Sequence, residues 1–371
     1  MKQYLFITII SLFIFSCKKE TKKNNTTIKE IKSTIKYAKG FDIITEGNQK
    51  KLVIKKPYQN AKQHFTFLLG DKTDLSKNIL KIPITNIVVT STTHIPMLEL
   101  IGVENTISGF PQTKFISSKK TRKLIDNGKI IELGLEQDIN TEKLLDLSPE
   151  LVVGFTLNGN NKMYNTILKS KIPVIFNGDW LEETPLGRAE WIKFFGVLFN
   201  KEKEADSIFT KIEKDYLSTK ELALKAKNTP TVLSGSLFND IWYMPAGKSF
   251  IAQFFKDANT NYLWSDTKGT GSLPLSIESV LDKGKNANYW IGCGLYEMKS
   301  KMETTNRHYS SFTPFKKNDI YTFASKKGKT GGLIYFEYSP TRPDLVLKDI
   351  IKITHPKLLR EYDFTFFEKM N

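Results

Sequence analysis

Short runs of consecutive apolar residues alternate with longer stretches of helical spacing along most of the chain. Ile87-Val88-Val89-Thr90 precedes a helical pattern through Pro96-Met97-Leu98-Glu99-Leu100-Ile101, closed by Gly102. A helix over 140–145 leads into Leu151-Val152-Val153-Gly154, and another near 161–169 into Pro173-Val174-Ile175-Phe176. Strands that are apolar on successive residues must be covered on both faces, and intervening helices supply the crossovers that parallel strands require. The pattern predicts an α/β lobe over 35–184 built on a largely parallel sheet. Ahead of its first apolar strand, alternating segments at 41–45 and 51–55 flank Glu46-Gly47-Asn48-Gln49 and predict a β-hairpin, with a further strand at 64–69. These strands are expected to edge the first lobe.

From 185 to 228 the apolar residues Ile192, Phe195, Phe199, Ile208, Ile212 and Tyr216 mostly return at helical intervals, with Gly187 and Gly196 as the only glycines. The expectation is one long helix, or two in line, of about sixty ångströms at about 1.5 Å per residue. After Pro230 the strand-and-helix alternation restarts: a strand at 231–235, a helix at 249–258, and a helix at 278–281 before Tyr289-Trp290-Ile291-Gly292. The two halves echo each other. Glu142 stands 12 residues before Gly154, and Glu278 stands 14 before Gly292. An internal repeat of this kind predicts two similar lobes, the second over 229–371, joined by the long helix.

The first sixteen residues have a different pattern. Lys2 is followed by an apolar run from Tyr4 to Phe15, too short to span a bilayer, and then by Ser16-Cys17. This is the arrangement of a lipoprotein export signal, with Cys17 as the acylated first residue of the mature chain. Lys18 to residue 34 is polar and lysine-rich, which predicts a flexible tether. The protein is therefore expected in the periplasm or cell envelope, held to a membrane by lipid. Cys293, the other cysteine, has no partner for an internal disulfide and reads as a small buried residue.

The chain carries a formal net charge of +16, and loss of Met1 to Ser16 removes only Lys2, leaving +15. The excess is dispersed lysine, without the interleaved arginine and aromatic residues that grip single strands, so nucleic acid is not an expected partner. Solubility, anionic headgroups near the anchor and steering of an anionic ligand account for it. Catalytic motifs are missing too: there is no Gly-x-Ser-x-Gly, no His-Glu-x-x-His and no cysteine pair for zinc. Gly247-Lys248-Ser249 and Gly328-Lys329-Thr330 imitate the end of a phosphate loop, but Trp242 and Phe323 stand where its first glycine belongs. A non-enzymatic protein without cofactor or protein-bound metal is expected. An exported hydrolase and a purely structural surface lipoprotein are the rival classes.

Several segments, in order, carry a family resemblance: Ile87-Val88-Val89-Thr90-Ser91-Thr92-Thr93-His94 with Leu100-Ile101-Gly102-Val103; Asn140-Thr141-Glu142-Lys143-Leu144-Leu145 with Ser148-Pro149-Glu150-Leu151; the long helix; Gly247-Lys248-Ser249-Phe250-Ile251; Ser276-Ile277-Glu278-Ser279-Val280; and Arg342-Pro343-Asp344-Leu345 with His355-Pro356-Lys357-Leu358. Together they resemble the substrate-binding proteins of bacterial ABC importers for iron-siderophores, haem and cobalamin. The resemblance implies the class III fold, two α/β lobes bridged by one rigid helix. It implies as partners a metal chelate (siderophore, corrinoid or haem), a permease with its ATPase, and a membrane reached through the lipid anchor, with the protein itself a monomer. It also implies that Glu142 and Glu278 dock on the permease, although both positions equally suit helix N-termini.

The ligand is then expected between the lobes, at the carboxyl ends of the parallel strands. Candidates are Thr92, Thr93, His94, Phe155 and Trp180 from the first lobe and Trp242, Tyr243, Trp264, Tyr296 and Tyr338 from the second. Aromatic surfaces suit large flat-faced ligands. Arg188, at the start of the long helix, is placed to meet an anionic group by a forked hydrogen bond, with an ion pair to Glu190 or Glu183 as the alternative.

Overall fold

The computed structural model describes residues 32–159 and 161–371. Cys17, the export signal and most of the tether lie outside them. Lys32 and Ser33, expected within the tether, form a strand paired with Thr45 and Ile44.

The first parallel sheet has the strand order Val174–Phe176, Leu151–Gly154, Ile87–Val89, Ile107–Phe110, Ile131–Glu132. All four pairings are parallel. Ile87, Val88, Val89, Leu151, Val152 and Val153 are fully buried, as strands covered on both faces should be. Helices His94–Leu100, Thr141–Leu147 and Lys162–Lys169 supply crossovers close to their expected places. Asn140 and Asn161 cap the latter two by accepting backbone N–H bonds from Lys143 and Met163.

The second parallel sheet runs Asn261–Tyr262, Thr231–Leu233, Tyr289–Ile291, Ile320–Thr322, Glu368–Lys369, with only the last pairing antiparallel. A separate three-stranded antiparallel sheet of Ser236–Phe238, Ile241–Pro245 and Ser272–Leu275 stands beside it. Asn239 and Asp240 both take positive φ, as a tight two-residue hairpin requires.

The early strands form the expected hairpin, Phe41–Glu46 with Gln49–Ile54, and Phe65–Gly70 joins it. They do not edge the first parallel sheet. With Lys32–Ser33 and Ile79–Lys81 they make a five-stranded sheet of their own. Its apolar face, including Phe41, Leu52, Ile54 and Leu80, closes the same core as Trp191, Phe194 and Phe195.

The one long helix, or two in line, expected over 185–228 is corrected to three. Pro185–Ala189 and Ile192–Leu198 precede the bridging helix Glu202–Ala223, whose 22 residues extend about 33 Å. Asn200 adopts φ +54, the left-handed conformation that ends the middle helix, and the chain folds back. Gly196 allows the close approach that follows, since a Cβ there would lie 2.6 Å from Ala205 Cβ. The bridge nevertheless joins the two lobes through their interiors. Ala205, Phe209 and Ile212 belong to the first core, Tyr216 and Ala223 to the second.

Candidate functional site

In each parallel sheet the strand order reverses beside the first strand, so neighbouring connections diverge and open a crevice at the carboxyl edge. In the first sheet the reversal lies between Ile87–Val89 and Leu151–Gly154, followed by Thr90-Ser91-Thr92-Thr93 and Phe155. In the second it lies between Thr231–Leu233 and Tyr289–Ile291, followed by Ser234-Gly235-Ser236 and Gly292. Both crevices open on one chamber of about 740 Å³ whose walls include Thr92, Thr93, Ser234, Gly235, Ser236 and Gly292. Gly235 has φ +79, and a Cβ on it would fall 2.0 Å from the Tyr243 carbonyl oxygen, so the strand end and the antiparallel hairpin meet only at a glycine.

Trp180, Arg188 and Tyr243, three of the candidate contacts, also line this chamber. Arg188 donates to the carbonyl oxygens of Trp180 at 2.7 Å and Glu182 at 3.4 Å, and its guanidinium carbon lies 3.5 Å from the centre of the Phe250 ring. It forms no ion pair with Glu183 or Glu190. Burial draws its pKa down while the charges of Asp179, Tyr335 and Glu182 oppose that shift. The carboxylate in the wall, Glu182, already accepts from Lys39, Gly40 and the Trp191 indole at 2.9, 2.7 and 3.0 Å. A flat cation stacked on an aromatic ring, with hydroxyls around it, offers an anionic group a charged donor in a partly dry setting.

A second chamber of about 650 Å³ shares Thr92 and Phe336 with the first and holds Phe155, Phe115 and Leu333. Its charges are Glu136, whose carboxyl burial pushes up, and Glu297, paired with Lys327 at 2.6 Å. Phe155 meets Trp180 edge-on, with ring centres 5.4 Å apart, so the aromatic wall is continuous between the chambers.

Five expected contacts line neither chamber. His94 is fully buried against Phe195, and neither ring nitrogen has a hydrogen-bond partner among the described residues. Burial draws its pKa down to about 4, so it is a neutral packing residue at neutral pH. Trp242 and Trp264 are core residues: Trp242 stacks on Trp290 at 5.2 Å and donates to the Ser234 carbonyl, and Trp264 packs on Tyr262. Tyr296 packs edge-on against Tyr309, and Tyr338 lies beside Ser118 and Glu99 where the lobes touch. Trp242, Trp264 and Tyr296 follow or belong to strands, where alternation sends side chains inward as readily as outward, whereas His94 opens the helix His94–Leu100 and Tyr338 ends the helix Ile334–Tyr338.

Phe250, Tyr335, Phe336 and Gln59 line the main chamber without having been anticipated. Phe250 carried a legible signal, because Ser249 caps the helix Phe250–Asp257 and so fixes its first residue at a loop end. Gln59 carried none. Glu142 and Glu278 are exposed in the first turns of Thr141–Leu147 and Ile277–Gly284. Cys293 is buried, which pushes its thiol up to about 12. Among the described residues no group of histidine, cysteine and carboxylate side chains could hold a metal ion, and no helix is long and apolar enough to cross a membrane.

The family model described as periplasmic binding protein matches residues 87–326, well over half of the chain. An uncharacterized lipoprotein of Methanocaldococcus jannaschii is 26% identical over 372 aligned residues, covering 92% of this chain and 87% of its own length. Among solved structures, a possible iron-binding, periplasmic solute-binding protein from Staphylococcus epidermidis superposes with a TM-score of 0.58 at 16% identity, over 74% of this chain and 99% of that one. The periplasmic haem-binding protein HutB of Vibrio cholerae superposes with a TM-score of 0.55 at 14% identity, over 71% and 99%.

Proposed function

This chain belongs to the periplasmic binding protein family, and we propose that it is the lipid-anchored solute-binding component of an ABC importer, capturing a ferric siderophore or related metal chelate between its lobes and presenting it to the permease. The observation that carries this reading is the convergence of both strand-order reversals on one aromatic, hydroxyl-lined chamber holding the stacked Arg188. A chelate has the matching features: a flat or apolar exterior for the rings and an anionic or oxygen-rich edge for the guanidinium. Cys17 is the lipidated residue, Glu142 and Glu278 are the docking carboxylates, and the protein has no catalytic role of its own.

A corrinoid or haem ligand is the second reading, favoured by Trp180, Phe250 and Phe336 in the chamber and by Phe155 against Trp180, with haem the weaker of the two. Titration of the full chain in detergent with a ferric trihydroxamate, cyanocobalamin and haemin, followed by tryptophan fluorescence, tests both. Saturation at one equivalent by one probe assigns the ligand class. Turnover of a probe restores the exported hydrolase, and silence from all three in a folded sample removes the receptor reading.

A further inference from the structure

The family match begins at Ile87, yet a complete five-stranded sheet precedes it. Two buried carboxylates fasten the start of that sheet to the segment that opens the bridging helices. Glu190 accepts the backbone N–H groups of Lys36, Tyr37 and Ala38 at 2.9, 2.6 and 2.9 Å, and Glu182 accepts those of Lys39 and Gly40. The hairpin then returns to the same place, where Lys55 and Lys56 both donate to the Gly40 carbonyl at 2.7 and 3.0 Å.

Beyond Lys56 the chain is seated on the carboxyl edge of the first parallel sheet. A Cβ on Gly178 would lie 2.0 Å from the Lys56 carbonyl oxygen, and one on Gly159 would lie 2.5 Å from the Tyr58 hydroxyl. Tyr58 also meets Phe176 edge-on at 6.5 Å. Ala61 donates to the Tyr58 carbonyl and Asn60 takes φ +58, which makes a tight turn with Gln59 at its tip. Gln59 is exposed to solvent and lines the main chamber, in the same wall as Trp180 and Arg188.

We infer that the 55–61 loop is a specificity element of the cleft, with the Gln59 side chain as a ligand contact. This rests on the receptor reading above and deepens it. A carboxamide is donor and acceptor at once and carries no charge, so it recognises a neutral polar edge such as a hydroxamate, amide or hydroxyl. Arg188 takes the anionic part of the ligand, and Gln59 selects among ligands that share one. The N-terminal sheet thereby has a role in recognition as well as in covering the first core.

The test compares the full chain in detergent as wild type, Q59A and G178A, each titrated with a ferric trihydroxamate, cyanocobalamin and haemin, with a melting curve recorded alongside. Q59A should weaken the tightest hydroxamate or amide-bearing probe by roughly two- to twelvefold, the range of one lost neutral hydrogen bond. It should leave haemin less affected, so that the ranking of probes changes while the melting temperature does not. G178A, which pushes Lys56 and its loop off their seat, should produce the same loss. Equal affinities for wild type and Q59A overturn the inference and leave the receptor reading intact. A wild type that binds none of the probes overturns the receptor reading, and the inference with it.

Discussion

Glu337, from the second lobe, accepts the backbone N–H of Ser118, from the first, at 3.0 Å, and that of Ser117 beside it. The contact is close-fitting: a Cβ on Gly328 would lie 2.6 Å from Ser117 Cα, and one on Gly332 would lie 2.1 Å from the Phe115 carbonyl oxygen. Thr330 adds a hydrogen bond to the Lys114 carbonyl at 2.7 Å. The lobes are thus joined at a second place besides the bridging helix, along the wall of the cleft that Phe115 and Phe336 share.

Burial pushes the Glu337 carboxyl up to about 7 from 4.5, and the charge of Glu99 adds to the shift. The folded protein holds a proton that the unfolded chain releases. Its contribution to stability is therefore complete below pH 4.5 and is lost as pH rises through 7. E337Q cannot ionise, so the fall in wild-type stability between pH 4.5 and 8, up to about 3 kcal/mol, should be absent from it, set against a pH-independent cost because its amide nitrogen faces one of the two N–H donors. Urea unfolding across that range measures it; parallel pH profiles would place the titration elsewhere.

Replacement of Arg188 by alanine removes both the cation and its stacking on Phe250. Affinity for an anionic chelate should fall at least about tenfold, the lower end for a charge-assisted hydrogen bond. R188K keeps the charge and loses the planar fork, so it should recover only part of the loss. Titration by tryptophan quenching distinguishes the three proteins.

His94→Leu should leave ligand affinity unchanged and hold or raise the melting temperature, because the imidazole is buried without hydrogen-bond partners. Its folded pKa of about 4 lies below the usual 6.5, so the wild type loses stability as pH falls through that interval and the variant does not. A large loss of binding in the variant at neutral pH would return His94 to the site.

Charge reversal at both Glu142 and Glu278 should abolish ligand-dependent stimulation of the cognate transporter's ATPase while ligand affinity stays as it was. Both side chains are exposed and neither lines a chamber. Stimulation that survives the double reversal places docking on other residues.

With one helix embedded in both cores and a second contact at Glu337, ligand binding should change the radius of gyration very little. Small-angle scattering with and without a saturating probe reads this directly. A large compaction would require the Ser118–Glu337 contact to open and reclose.

What the sequence made legible was the part governed by local periodicity. Ile87-Val88-Val89 and Leu151-Val152-Val153, short apolar runs between helical patterns, read as buried parallel strands and are, and the capped helices fell near their expected places. Periodicity was blind to reversal. The apolar spacing runs on from Phe195 and Phe199 to Ile208 and Ile212, and nothing in it marks that Asn200 turns the chain so that Gly196 packs on Ala205. The candidate site was legible to the level of loops, since Thr92, Thr93, Trp180, Arg188 and Tyr243 do line the chamber. The direction of each side chain was not, which is why Trp242 and Trp264 point into the core. Gln59 lay furthest from reach, because its place depends on Gly178 and Gly159, more than ninety residues away in the chain.

The bridging helix also orders the assembly of the protein in time. The first parallel sheet is complete at Phe176, but the core beneath it includes Trp191, Phe194, Phe195, Phe209 and Ile212, which emerge later from any channel that releases the chain amino end first. The segment from Lys36 to Gly40 likewise waits for Glu182 and Glu190 before its N–H groups find acceptors. The first lobe therefore cannot complete its core until more than half of the chain has appeared, and its folding should follow release of the residues up to Ile212.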